Sequence, residues 1–212
     1  LREAWETAGL DPTKADAVRP LIRFGTWIGG DRDGHPFVTS EVTEKALRAL
    51  RHNALRVQRR AIEALAAGIP LSSLFQPTPN SLLELIERLE RDLRPTRSAD
   101  VEYIQGRNQE EPWRRAAFLM RAKIVAAVEF AAAPAAYGSP AELEADVETF
   151  AQSLLEVGAT GLAQGSVVPL QRLIGTFGFH LATLDIRQNS AFHEKALGQL
   201  LKTAGIVDDG SF

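Results

Sequence analysis

Phe24-Gly25-Thr26-Trp27-Ile28-Gly29-Gly30-Asp31-Arg32-Asp33-Gly34-His35-Pro36 is the stretch on which the reading of this chain turns. An apolar run gives way to eight residues that hold three glycines, three charges and a proline. A helix across them would lose about 1 kcal/mol at each glycine and about 3 at the proline, so the segment reads as a loop. Glycine lets other groups approach the main chain closely. Charges that leave water need partners, so Asp31 and Asp33 are expected to orient Arg32. Two readings stay open. The loop is a solvated turn with surface ion pairs, or it presents a guanidinium to an anion at the rim of a cleft, because the planar fork grips carboxylate and phosphate in a bidentate way. A helix is predicted to begin at Thr39 or Ser40 with Glu41 in its first turn, and its first amides would add to an anion site nearby.

Working outward, the pattern is mainly helical. Leu1 to Gly9 predicts a short helix closed by glycine, followed by breaks at Asp11-Pro12 and Arg19-Pro20. Glu41 to Ala67 reads as one long helix, with Val42, Ala46, Leu50, Leu55, Ile62 and Leu65 at helical spacing and Gly68 and Pro70 ending it. Arg48, Arg51, Arg56, Arg59 and Arg60 form its basic face, read as solvated. Asn80 or Ser81 is expected to cap a helix through Leu93, and Pro95 to Asn108 to be polar and irregular. Pro112 opens a further helix that runs into the alanine-rich stretch before Pro134. Ser139-Pro140-Ala141-Glu142 is a capping box that starts a helix reaching Val157. Gly158, Gly161 and Gly165 read as a helix connection. Val167 to Phe177 predicts a helix, Phe179 to Arg187 a strand, and Asn189 or Ser190 the cap of a last helix through Lys202 that closes near Gly205. A strand followed by a helix, with charges at the strand's carboxyl end, is where barrel-type α/β enzymes place ligand groups. The alternative is that Asp185 and Arg187 simply pair with each other.

Composition narrows the function classes. The chain has 212 residues, 45% hydrophobic and 24% charged, with net charge −3 and no cysteine. These are values of a globular protein with a real core. They leave no disulfide and no thiolate metal site. The acidic total gives no general nucleic-acid footprint, and DNA binding through the arginine-rich helix is a minor rival. No apolar run approaches the roughly 18 residues of a membrane span. His35, His52, His180 and His193 have no metal-ligand spacing. His180 reads as a core histidine and His52 as a surface one; His193 is given no role. No nucleophile elbow, P-loop or dinucleotide fingerprint occurs. Leu1 is not an initiator methionine, so the chain reads as cut from a longer protein.

Three segments carry a resemblance to phosphoenolpyruvate carboxylase. The first is the opening stretch, continued by Val38-Thr39 and Glu41-Val42-Thr43. The second is Leu184-Asp185-Ile186-Arg187-Gln188-Asn189-Ser190, continued to His193 and Ala196-Leu197. The third and weaker is Glu111-Pro112-Trp113-Arg114, similar to the family's Glu-Pro-Tyr-Arg. The resemblance implies a cytoplasmic lyase of anaplerotic carbon dioxide fixation. It would make oxaloacetate, a tricarboxylic acid cycle intermediate, and phosphate from phosphoenolpyruvate and bicarbonate, with Mg²⁺ or Mn²⁺ and as a tetramer, with neither nucleic acid nor membrane as partner. The implied fold is mainly α, long helices with one or two short strands, a piece of an α-rich (β/α)8 barrel. Residues 1–212 would be a single central region: an opening segment and glycine-rich loop over 1–40, a helical region over 41–165, and a helix, barrel strand and helix over 166–212.

The resemblance also implies roles. Arg187 would be the catalytic, substrate-phosphate ligand, with Arg32 beside it in substrate binding, and Gly29, Gly30, Asp31, Asp33 and Gly34 would shape the site. No metal ligand is expected in this chain, and no metal bound to it. The family's catalytic histidine segment and metal carboxylates would lie before Leu1 and after Phe212, so the chain alone is expected to be inactive. Two positions depart from the family pattern: His35 stands where asparagine is usual, and Asn189 where an acid is usual. They keep open a non-enzymatic helical interaction module derived from the same fold.

Overall fold

The structure is a computed structural model, and it describes residues 2–11, 22–129 and 134–206. The helices are α1 (Arg2–Thr7), α2 (Ser40–Gly68), α3 (Asn80–Arg107), α4 (Pro112–Val128), α5 (Pro140–Glu156), α6 (Thr160–Leu162), α7 (Val168–Phe177) and α8 (Ser190–Thr203), with a π-helical turn, Ala163–Val167, between α6 and α7. Two short strands, β1 (Gly25–Thr26) and β2 (Thr183–Leu184), pair in parallel. The fold is therefore mainly α with two short strands. Among the described residues no helix is long and apolar enough to cross a membrane. The chain divides into two compact units, Leu1–Ile22 with Arg51–Leu181, and Arg23–Leu50 with Ala182–Phe212.

The first unit is a helical core. α3 packs chiefly on α4, and both meet α5. Four residues separate α3 from α4, a connection short enough to set neighbours antiparallel. Leu82, Leu85, Leu89 and Leu93 of α3 interlock with Trp113, Leu119, Met120 and Ile124 of α4, and Val147, Phe150 and Leu154 of α5 close the layer. From the second half of α2, Leu55, Ile62 and Leu65 join them. α4 starts at Pro112, where the missing amide costs nothing. At the start of α5 the Ser139 hydroxyl accepts from the Glu142 amide at 3.4 Å, while the Glu142 carboxylate reaches back to the Gly138 amide at 3.1 Å, one residue earlier than in a regular capping box.

Several expectations are corrected in this unit. Pro95 to Arg107 is helical, not irregular, and Asn108 is the C-cap. Pro95 and the non-helical Arg97 (φ −139°, ψ 40°) kink α3, and the helix then resumes. Val101 and Ile104, buried at helical spacing, anchor the resumed turns, two apolar contacts that the polar composition hid. Pro79, not Asn80 or Ser81, is the N-cap of α3. Gly158 lies in a turn with φ +75°, but Gly161 is in α6 and Gly165 in the π-helical turn. The strand expected from Phe179 shrinks to Thr183–Leu184, because residues 178–181 are still turning. The Leu181 amide bonds back to the Phe177 carbonyl at 2.9 Å, and Leu181 itself is left-handed, φ 63°. His180 is exposed, and the buried residue there is Phe179. The alanine run at 131–133 and the breaks at Pro12 and Arg19-Pro20 lie outside the described residues.

A polar cluster with a buried centre borders this core. The buried Asp146 carboxylate accepts from the Tyr137 hydroxyl at 2.7 Å and from Arg88 Nη2 at 2.5 Å. Lys123 Nζ pairs with Asp92 at 2.8 Å and sits 4.9 Å from the centre of the Tyr137 ring. Burial, reinforced by the Asp146 charge and hydrogen bond, pushes the Tyr137 hydroxyl well above the ordinary tyrosine range. An unfolded tyrosine gives up its proton near pH ~10, while the folded one keeps it. The stability so conferred is complete below that pH and falls as pH rises above it. The melting temperature is expected to drop steeply above pH ~10, with tyrosinate absorbance from Tyr137 appearing only as the chain unfolds. Tyr137→Phe should flatten that alkaline limb.

Candidate functional site

The second unit joins the two sequence segments that stand out in the chain. The parallel pairing matches Gly25 with Thr183 and Thr26 with Leu184. The Thr183 amide donates to Phe24 O and the Asp185 amide to Thr26 O, each at 2.8 Å. The first segment then makes a tight turn, in which the Gly30 and Asp31 amides both bond back to Trp27 O at 2.9 and 3.1 Å. Pairing resumes at Asp31 opposite Arg187. There the Arg187 amide donates to Gly30 O at 2.9 Å and the Arg32 amide to Arg187 O at 3.0 Å. Five residues on one strand thus run beside three on the other, and the surplus forms the loop.

The glycines fit this geometry. A Cβ on Gly30 would lie 2.3 Å from the Asp185 carbonyl oxygen, and one on Gly29, whose φ is +87°, would lie 2.4 Å from the Ala46 Cβ. A Cβ on Gly34 would meet the Asp31 carboxylate at 2.7 Å, the same carboxylate that accepts from the Gly34 amide at 3.3 Å. Gly30→Ala is expected to destabilise the chain by about 1–3 kcal/mol, as overpacking against main chain does. Gly68→Ala, with nothing within 4 Å, is the control. Urea midpoints of the two variants test the difference.

Arg187 is held at its inner end and open at its outer end. Its Nε donates to Asp185 Oδ2 at 3.0 Å, and the guanidinium carbon lies 5.5 Å from the centre of the Trp27 ring. Both terminal nitrogens have no protein hydrogen bond among the described residues, and the side chain is 52% exposed. The local Asp185–Arg187 pair and a guanidinium with its outer nitrogens unengaged therefore coexist in one residue. Arg32 behaves differently. It is not held by Asp31 or Asp33. Its Nη2 donates to Thr43 Oγ1 at 3.1 Å, and Thr43, nearly buried in the first turns of α2, donates in turn to Gly29 O at 2.8 Å. The Arg32 Nε is buried with no partner among the described residues. Arg32 and Thr43 thus tie the loop to α2, with Asp33 exposed at the outside.

At the start of α2 the Thr43 amide already bonds to Thr39 O at 3.1 Å. Thr39 Oγ1 already accepts from the Val42 amide at 3.4 Å. Glu41 occupies the first turn, its carboxyl held below the usual range by hydrogen bonds from Thr39, from its own amide and from Ser40. His35 Nδ1 accepts from the Phe37 amide at 3.3 Å, and the two rings meet edge-on. Asn189 Oδ1 caps α8 by accepting from the Phe192 amide at 3.0 Å. Asparagine and aspartate are near equals in that task. Three contributors were not singled out by sequence reasoning. Thr43 and Trp27 sit within the quoted segments, so their position was a signal, but only the folded loop shows what they touch. The free end of Arg187 is visible only in the structure. Among the described residues no group of three or more His, Cys, Asp or Glu comes together that could hold a metal ion.

Comparison with known proteins gives a consistent answer. A family model described as "Phosphoenolpyruvate carboxylase" matches residues 2–210. Similar curated proteins bear the same name. One from Rhodopseudomonas palustris (strain BisA53) is 34% identical over 203 residues, 92% of this chain and 21% of that protein. One from Azoarcus sp. (strain BH72) is 35% identical over 208 residues, 93% of this chain and 21% of that protein. One from Nocardia farcinica (strain IFM 10152) is 35% identical over 217 residues, 97% of this chain and 22% of that protein. The chain spans about a fifth of the length of the curated relatives it matches.

Proposed function

The chain belongs to the phosphoenolpyruvate carboxylase family, and on that premise we propose that it is the central region, residues 1–212, of an enzyme that forms oxaloacetate and phosphate from phosphoenolpyruvate and bicarbonate. In this reading Arg187 holds the phosphate of the substrate. The observation that supports it is the half-exposed guanidinium of Arg187, steered by Asp185 and Trp27 with both terminal nitrogens open. Bicarbonate oxygen attacks phosphorus, the bond from phosphorus to the enol oxygen breaks, and carboxyphosphate and the enolate of pyruvate result. Carboxyphosphate releases CO₂ and phosphate, and the enolate carbon bonds to CO₂. Negative charge sits on the phosphoryl oxygens throughout, and a fixed guanidinium stabilises it without reorganising. Arg32, Asp31, Asp33 and the glycines at 29, 30 and 34 shape the mouth of the site, Arg32 by fastening the loop through Thr43.

The family's reaction uses Mg²⁺ or Mn²⁺. The described residues do not themselves fit such an ion, so no step here is routed through one. A cytoplasmic tetramer, with this piece lending its two parallel strands to a barrel, completes the reading. The test is to express the longest reading frame that contains this sequence and to follow oxaloacetate with a reporter dehydrogenase. Formation dependent on both phosphoenolpyruvate and bicarbonate is the expected result. A folded product with no turnover would overturn the assignment in favour of an interaction module.

A further inference from the structure

One hydroxyl seats the glycine-rich loop on α2. Thr43 is 7% exposed. A threonine inside a helix can spend its hydroxyl on the carbonyl four residues back. Thr39 O lies at 3.1 Å for that purpose, but Gly29 O is nearer, at 2.8 Å. The same hydroxyl oxygen accepts from Arg32 Nη2 at 3.1 Å. Arg32 Nε is buried without a partner among the described residues, so the hold on this guanidinium is the Thr43 hydroxyl. One side chain thus grips the loop on both sides of Gly30.

Gly30 is where the loop meets the main chain of Arg187. Its carbonyl accepts from the Arg187 amide at 2.9 Å, and the Arg32 amide donates to Arg187 O at 3.0 Å. The loop is also wedged between its two supports. A Cβ on Gly29 would lie 2.4 Å from the Cβ of Ala46, three residues beyond Thr43 on α2, and one on Gly30 would lie 2.3 Å from Asp185 O. A shift of the loop on α2 is therefore passed directly to the backbone of Asp185 and Arg187. Protein interiors transmit small displacements in this way because close-packed groups leave no slack.

We propose that Thr43 is a positioning residue for Arg187: its hydroxyl fixes Gly30 O and the Arg32 amide, and with them the main chain from which the Arg187 guanidinium reaches its phosphate. This role rests on the reading of Arg187 as the phosphate ligand. Nearly buried, Thr43 acts through the loop and not on the substrate. Thr43→Val keeps the shape and removes donor and acceptor together. A double-mutant cycle with Arg187→Ala, in the longest reading frame that contains this sequence, separates positioning from mere support. Thr43→Val alone is expected to lower kcat/KM for phosphoenolpyruvate about tenfold, since small misplacements of a binding group are costly. Thr43→Ser, which keeps the hydroxyl, should recover most of that loss. With Arg187→Ala already present, Thr43→Val should cost less than about twofold more, because the group it positions is gone. An equal loss in both backgrounds overturns the proposal, as does a Thr43→Val enzyme with unaltered kinetics. If circular dichroism shows that Thr43→Val fails to fold, Thr43→Cys, a weaker donor and acceptor, takes its place in the cycle. Failure of both to fold assigns the hydroxyl a purely structural role and overturns the proposal too. Arg187→Ala alone reports on the assignment beneath. If it is silent, that assignment falls; if it is impaired while Thr43→Val is silent, only the positioning role falls.

Discussion

Arg187→Ala, introduced into the longest reading frame that contains this sequence, is expected on the proposed assignment to lower kcat/KM for phosphoenolpyruvate at least tenfold. A hydrogen bond to a charged group contributes about 1.5–3 kcal/mol, which corresponds to about 10–150-fold in rate. Arg187→Lys should recover only part of the loss. It keeps the charge but not the planar fork, and it forfeits the Nε contact to Asp185 Oδ2 and the stacking over Trp27. The backbone pairing should survive either change, because the Arg187 amide and carbonyl join the loop independently of its side chain. Steady-state kinetics beside urea denaturation distinguishes the two possibilities. Unchanged kinetics removes Arg187 from the site, and lost stability would show a structural role instead.

Trp113→Ala should have the largest effect on stability, about 3–5 kcal/mol. The indole is completely buried between α4 and α5, and its Nε1 donates to Ser153 Oγ at 3.0 Å. Ser153 in turn donates to Phe150 O at 2.7 Å, so it keeps one partner when the indole is gone. The cost is thus mostly the cavity. Trp113→Phe should cost less, because it retains most of the volume while losing the donor. A urea series on the three proteins orders them. If the alanine variant lost under 1.5 kcal/mol, the core would have collapsed around the gap.

Most of the helical plan was legible because it rests on local chemistry. The glycine and proline stops around α2, the proline at the start of α4, the Ser139 cap and the Asn189 cap all act within a turn or two of themselves. The misreadings have a common cause. Pro95 to Arg107 keeps its helix with Val101 and Ile104 buried in the core that α3 shares with α4, a partner distant in the local pattern. Phe179 to Arg187 is apolar enough for a strand, yet the turn held by the Phe177 carbonyl consumes its first residues. In the candidate site, the two segments could be recognised one at a time. That they meet edge to edge, that Arg32 bonds to a threonine instead of the adjacent aspartates, and that Arg187 keeps an open end are all outcomes of pairing across some 150 residues of chain.

That pairing has an evolutionary implication. The two segments are joined almost wholly through amides and carbonyls, which every residue type but proline provides in full. Side chains along the seam can drift without parting it. The glycines at 29 and 30 cannot, since each sits where another backbone or a methyl group has claimed the room. Diverged copies of this seam should therefore vary in their charges long before they vary in their glycines, and a copy that has lost the arginine's chemistry would still keep its shape.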